Sequence, residues 1–588
     1  MTPVLFLVNP EARDWASRLA VHLGAVLREP NDLKSELRRA FRRQQPIIGI
    51  CASGILIRIL APLLSDKQRE PPVIALAEDG SAAVPLLGGH HGANDLARRI
   101  ADHTGGVAAI TTASELHFGT SLDKPEGYRL SNPQHLKNVA ARLISGEKLR
   151  VKGEAPWLSA LPRATDASLG LLVTEYAVPG NEASLVYHPQ TLALGVGCER
   201  GVSPDELINN VEGILLREGL AAKAIACIAT IDLKADEQAV NELGRKLGLP
   251  VRYFSAAELN EETPRLKNPS EAVFREIGCK GVAEAAALRA AGAQGELIVE
   301  KTPSAKTTCA VARAPCPIAA EHVGRPRGRL SIVGLGPGSE EWRSPAAEVA
   351  LLRSCHWVGY SRYLELAADL RVSQTEHRFP LGEEETRARH ALDLAGEGHD
   401  VALLCSGDAG IYAMAALVYQ LLDPNSASGL ADDARRISVD VIPGISAFQA
   451  AAARAGAVIG HDFCAISLSD LLTPWDVIER RLSAAAEGDF VVALYNPRSC
   501  ARVDQLDRAM AILRAGRPAD TPVIVASNLG RPGEHLDVRR IDAFDTSRID
   551  MLTIVLVGST STRSFRRGDG ATIVYTPRGY SASRNSDA

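Results

Sequence analysis

Residues 329–342 read RLSIVGLGPGSEEW: an apolar run from Leu330 to Val333 breaks into a glycine turn, and beyond it Ser344 stands ready to cap a helix with Pro345 at its first position. Strand, glycine turn and helix in that order are the repeating unit of an α/β domain. Glycines at such a turn let a backbone approach a ligand closely. A dinucleotide is the first ligand to test, and the turn fails it. The fingerprint needs Gly or Ala at 339 for close helix packing, and Ser339 stands there. The next predicted strand, HWVGY at 356–360, also ends without the carboxylate that would hold an adenosine ribose.

The same alternation runs outward in both directions, through VLFLV at 4–8, IIGIC at 47–51, VIALA at 73–77, LALGVG at 192–197 and ACIATI at 226–231. Short apolar runs separated by Ala/Leu-rich stretches of helical period predict multidomain α/β architecture with largely parallel sheets. At 588 residues the chain exceeds what one hydrophobic core supports. Composition breaks divide it into an N-terminal α/β domain at 1–110, a turn-rich central segment with weak strand signal at 111–190 and a further α/β domain at 191–314. A proline- and arginine-rich linker at 315–328 follows, then two lobes at 329–440 and 441–588.

Composition narrows the function. Hydrophobic residues make up 46% and charged residues 23%, and the net charge of −5 comes from 65 basic against 70 acidic side chains. That balance lacks the cationic excess that phosphate neutralisation needs, so nucleic acid is not expected as a partner. No apolar run reaches the length of a membrane span, and the first residues lack a signal-peptide pattern, so a cytoplasmic chain is expected. The 10 cysteines form no CxxC and no Cys/His cluster at zinc-ligand spacing, so they read as reduced thiols and no metal site is expected.

Four further loops sit where strands of the second half should end. They are SGDAG after VALLC at 401–405, PGISA after VDVI at 439–442, YNPRS at 495–499 and SNLGRPGE at 527–534. Ligands of open α/β sheets lie beyond the carboxyl ends of strands, so these loops and GLGPG should converge on one cleft. On the motifs GLGPG at 334–338, SGDAGIY at 406–412, PGISA at 443–447, TIVLVGSTST at 553–562 and TPRGY at 576–580, the second half resembles the tetrapyrrole (corrin and porphyrin) methyltransferases that use S-adenosyl-L-methionine. ALYNPRS, SNLGRPGE and PRGY are similar to the precorrin-3B C(17)-methyltransferase branch of cobalamin biosynthesis. The resemblance implies a two-lobed enzyme, a homodimer, that binds S-adenosylmethionine between its lobes and acts on precorrin-3B or cobalt-factor III. The matching cofactor positions are Pro337, Gly407, Asp408, Ile411, Ser446, Ala447, Asn496, Asn528 and Thr553.

Methyl transfer from a sulfonium to an electron-rich carbon needs alignment of two bound reactants rather than a nucleophilic side chain. The polycarboxylate substrate calls for arginines in its trough. Gly336, Gly338, Arg498, Arg531 and Arg578 are the candidate substrate positions, with Arg343 and Arg362 nearby. Ring contraction, which accompanies methylation in this branch, calls for a proton donor or acceptor that no motif identifies; the catalytic residues are left unassigned.

In the first half, GGHHGAND at 88–95, GVGCERG at 195–201, ATIDLKADE at 229–237 and YFSAAEL at 253–259 each mark a turn or strand–helix junction. Together they resemble the cobalt-precorrin-5A hydrolase family. That resemblance implies lactone opening with release of acetaldehyde, with His90, Cys198, Lys234 and Glu237 as candidates at motif positions. A non-catalytic tetrapyrrole carrier is the alternative for this half.

Overall fold

The computed structural model describes residues 3–64, 70–112, 117–118, 122–371, 373–499 and 502–578. The chain forms two compact units, of which the first holds Met1–Gly328 and the second holds most of the rest.

Within the first unit, strands Val4–Leu7, Ile47–Ile50 and Val73–Leu76 pair in parallel, as their unbroken apolar runs require, and Ala82–Leu87 adds an antiparallel strand. The helix expected from Ala93 spans Ala93–Thr104, after a turn in which Gly88 takes φ +70°. The central segment, where the strand signal weakens, builds its own four-stranded sheet from Tyr128–Leu130, Ser184–Pro189, Leu169–Val173 and Leu149–Lys152. Leu149–Lys152 buries one residue fully and exposes two, which is why its composition reads as loop. Three strands of the next domain, Leu192–Cys198, Ile225–Ile231 and Val251–Phe254, are parallel, and Thr307–Arg313 pairs antiparallel to the first of them. The stretch 315–328, read as a linker, is folded back on this domain. Arg325 exchanges backbone hydrogen bonds with Tyr253, and the Arg252 guanidinium donates to the carbonyls of Val323, Glu321 and Gly324.

The second unit has two lobes. The first-lobe sheet runs in the order Thr375–Phe379, His356–Tyr360, Asp400–Cys405, Arg329–Gly334, Ser438–Ile442. Its first four strands are parallel. Ser344 caps helix Pro345–Arg353 as expected, its Oγ accepting from Ala347 N at 3.1 Å. Val333, Leu351, Trp357 and Leu404 fill the core, and the Trp357 indole donates to Leu351 O at 3.0 Å.

The second-lobe sheet departs from the expected parallel pattern. Its order is Phe463–Ser467, Val491–Tyr495, Thr553–Val557, Pro522–Ser527, His535–Arg540, and only the first pair is parallel. Buried apolar runs such as VVALY and TIVLV suit either direction; short connections such as the loop 528–534 return the chain antiparallel.

Candidate functional site

The five loops do converge. GLGPG, SGDAG and PGISA meet backbone to backbone at the carboxyl ends of the first-lobe strands. Gly336 and Gly407 exchange hydrogen bonds at 3.1 and 2.8 Å. A Cβ on Gly334 would lie 2.7 Å from Gly407 O and 2.8 Å from Gly444 N, and one on Gly444 would overlap Gly407 O. No side chain fits at these crossings. Asp408 ties the loops together, one carboxylate oxygen accepting from Gly410 N at 2.8 Å and the other from Gly444 N at 3.1 Å.

Above this junction lies a cleft of about 550 Å³ between the lobes. Pro337, Gly407, Asp408, Ile411, Ala447, Asn496, Asn528 and Thr553 all line it, which is every expected cofactor position except Ser446. Ser446 is buried beneath the cleft, its hydroxyl 2.9 Å from Gln449 Oε1 at the start of helix Ala447–Ala455. It positions the PGISA turn rather than facing the cleft. Asn496 and Asn528 both hold left-handed backbones, with φ of +49° and +51°. Tyr412 does the same at +52°, which is strained for a bulky residue. Three such residues lining the cleft mark it as a place where surrounding structure enforces geometry.

The expected substrate positions divide. Arg531 lines the cleft; its Nε donates to Pro337 O at 2.8 Å and its Nη2 to Ser406 Oγ at 2.9 Å. Among the described residues no carboxylate pairs with it. Burial is the main influence lowering its pKa from the ordinary arginine value; the nearby Tyr363 opposes this and Arg362 adds to it. The Arg531 side chain crosses over Gly338, where a Cβ would collide with it, so Gly338 serves the arginine rather than the cleft. Gly336 is enclosed by Trp342 and also lies outside the lining. Arg498 is turned away, donating to Thr546 O at 3.0 Å, and Arg578 is exposed beyond the cleft. Gly579 and Tyr580 of the PRGY motif fall outside the described residues. Arg343 is spent on a buried bidentate pair with Asp369 at 2.9 and 3.0 Å, whereas Arg362 does line the cleft.

Sequence reasoning missed most of the aromatic wall, reaching only Tyr495 in the YNPRS loop. Tyr360, Tyr363, Tyr412 and Tyr495 line the cleft together with Glu384 and Met551. The Tyr412 and Tyr495 rings lie 5.1 Å apart, and Tyr412 OH donates to Ala465 O at 2.8 Å. Burial leads in raising the phenol pKa of each, so both remain neutral hydroxyls. Their signal was legible: Tyr412 and Tyr495 sit inside SGDAGIY and ALYNPRS. Tyr363 and Glu384 come from elements without a motif.

The family model for tetrapyrrole (corrin/porphyrin) methylases matches residues 329–544. A precorrin-3B C(17)-methyltransferase from Sinorhizobium is 43% identical over 253 residues, covering 43% of this chain and 97% of that protein. The chain belongs to the tetrapyrrole methylases. A probable cobalt-factor III C(17)-methyltransferase of Salmonella typhimurium is 42% identical to this methylase, covering 43% of it and 99% of that relative. The crystal structure of the methyltransferase CobJ aligns with 39% identity and a TM-score of 0.39, covering 42% of the methylase chain and all of that one. Ahead of its methylase half the chain matches the models for the cobalamin synthesis G N-terminal domain at 35–115 and C-terminus at 192–312, so the polypeptide is a fusion.

In that first half the candidate residues separate. Cys198 and Lys234 line a second cavity, of about 650 Å³, with Arg200, Lys301 and Lys306. Glu237 is buried outside it, accepting from Gly201 N at 3.1 and 3.2 Å and lying 3.6 Å from Lys234 Nζ and 3.7 Å from Arg200. It braces the CERG turn. The Cys198 thiol is pushed up to about 11, mainly by burial. His90 belongs to the short helical turn Gly89–His91 of the first domain. Among the described residues no helix is long and apolar enough to cross a membrane.

Proposed function

We propose that the second half transfers a methyl group from S-adenosylmethionine to C17 of precorrin-3B or its cobalt counterpart, cobalt-factor III, with contraction of the ring. The observation that carries this is the coincidence of the cleft with eight expected cofactor positions, in a half spanning nearly the whole length of relatives bearing those two names.

The lining suits the cofactor. Ile411, Ala447 and Ile554 offer apolar surface for an adenine, and Asp408, Asn496 and Asn528 offer hydrogen-bonding groups for ribose and amino acid. Bound there, S-adenosylmethionine supplies an electrophilic methyl group. The tyrosine faces of Tyr412 and Tyr495 suit a neighbouring cation, worth about 0.5–2 kcal/mol for a positive charge over an aromatic ring. Arg531 and Arg362 supply the positive wall for substrate carboxylates, with Arg531 pre-oriented by its two hydrogen bonds. What the protein contributes to the chemistry is therefore alignment, which supplies on the order of 7–11 kcal/mol in well-oriented reactions. Incubation with precorrin-3B and methyl-labelled cofactor tests the reading. A single labelled methyl on C17, located by NMR, is expected; label at another ring carbon, or none, would refute it.

For the first half, five cations line the second cavity, Arg200, Lys234, Lys301, Lys306 and Arg436, against the two carboxylates of Glu199 and Glu276; this excess favours a polyanionic macrocycle as its ligand, in keeping with a cobalt-precorrin-5A hydrolase. Acetaldehyde released from the lactone substrate supports catalysis. Binding without release supports the carrier alternative.

A further inference from the structure

Histidines gather at the opposite end of the first-lobe sheet from the cleft. His356 opens strand His356–Tyr360, and His399 immediately precedes strand Asp400–Cys405. In the parallel register His356 lies opposite Thr375 and Val401, so His377 and His399 each stand two residues from its partners. Side chains two residues apart on a strand share a face. The three imidazoles are therefore stacked on one side of three adjacent strands by the register itself. His356 and His399 rings are 4.7 Å apart, His356 Nδ1 lies 3.1 Å from His377 Nε2, and His377 Nδ1 lies 2.8 Å from His390 Nε2. Cys355, exposed beside them, donates its thiol to Asp400 O at 3.3 Å.

Cys355 Sγ and one nitrogen each of His356 and His399 lie within 4.8 Å of one another. Ligands around a tetrahedral zinc are separated by roughly 3.3–3.8 Å, so side-chain adjustments of about an ångström would close the set. We propose that Cys355, His356 and His399 form a binding site for one divalent d-block cation, Zn²⁺ being the best match. Thiolate plus imidazole is the ligand combination that selects zinc over magnesium or calcium. Binding forms the sulfur–metal bond as the thiol proton leaves to solvent. Three protein ligands leave a fourth position for water or an external ligand.

The histidine chain supplies the outer support that metal-bound imidazoles need. Binding through His356 Nε2 selects the proton order in which His356 Nδ1–H donates to His377 Nε2 and His377 Nδ1–H donates to His390 Nε2. At about 3.3 Å per residue, the site stands roughly 13–23 Å along the strands from the loops that line the cleft. It is thus separate from methyl transfer, and it clips together the starts of two central strands.

The test uses the full chain, freed of any affinity tag, with Zn²⁺ or Co²⁺ alone as probe. One equivalent of zinc should be retained on dialysis, and Co²⁺ should give thiolate charge-transfer and four-coordinate d–d absorption. Cys355→Ser should abolish the charge-transfer band, and His399→Gln should lose the four-coordinate spectrum. His377→Asn should weaken binding by about 10–100-fold, the effect of losing an outer-shell partner. Cys316→Ser, at another exposed thiol, should change nothing. Circular dichroism of each variant confirms folding. Zinc stoichiometry and cobalt spectrum unchanged in both Cys355→Ser and His399→Gln, or no retained zinc in the unaltered chain, would overturn the proposal.

Discussion

On the proposed function, Arg531 is the residue on which substrate recognition should depend most. It is half-buried, has no carboxylate partner among the described residues, and is held over Gly338 by two hydrogen bonds. Arg531→Ala should lower kcat/KM by about 10- to 100-fold, the worth of a charge-assisted hydrogen bond of roughly 1.5–3 kcal/mol. Arg531→Lys should recover only part of this, since an ammonium cannot make the forked contact. Steady-state kinetics on both variants checks it. Gly444 depends on the absence of a side chain. Gly444→Ala forces apart loops whose backbones touch and should cost about 1–3 kcal/mol, read as a lower melting temperature and weaker S-adenosylhomocysteine binding. Cys198 gives a pH prediction. With its pKa raised to about 11, the thiolate fraction at neutral pH is on the order of 10⁻⁴, so iodoacetamide should label it appreciably only as pH climbs toward 11. Rapid labelling at pH 7 would contradict the raised pKa.

Among the elements, the strand–turn–helix at 329–353 was fully legible, because Ser344, Pro345 and the glycines each impose a local conformation. Ser344→Ala should cost about 1 kcal/mol by removing the cap, with cofactor affinity retained, since Ser344 does not line the cleft. A denaturant midpoint and a binding titration separate the two effects. The same locality explains why the convergence of the loops on the cleft could be read: their positions follow from motifs confined to a few residues. The arginines expected at the substrate are less legible, because whether Arg343 or Arg498 faces the cleft is decided by distant partners, Asp369 and Thr546 O. Strand direction in the second lobe escaped for a related reason. A buried run such as TIVLV carries no mark of which way its neighbour runs. The histidine cluster is likewise invisible along the chain, since sheet register alone brings His399 to His356.

At the scale of the whole molecule, a methylase is joined to cobalamin synthesis G domains, and among the described residues those lining the methylase cleft fall between 337 and 554. A polypeptide beginning at Arg329 should therefore bind S-adenosylhomocysteine as the full chain does, measured by calorimetry. A ligand at about 100 times its dissociation constant adds roughly 2.7 kcal/mol of stability, so thermal protection offers a second reading. The central claim is that the gap between the lobes, rather than the glycine turn at 334–338, holds the donor. A crystal structure with S-adenosylhomocysteine tests it most directly. The account predicts adenosine packed against Ile411 and Ala447, with the sulfur facing the Tyr412 and Tyr495 wall. Adenosine laid along 334–338, with the gap between the lobes unfilled, would contradict it.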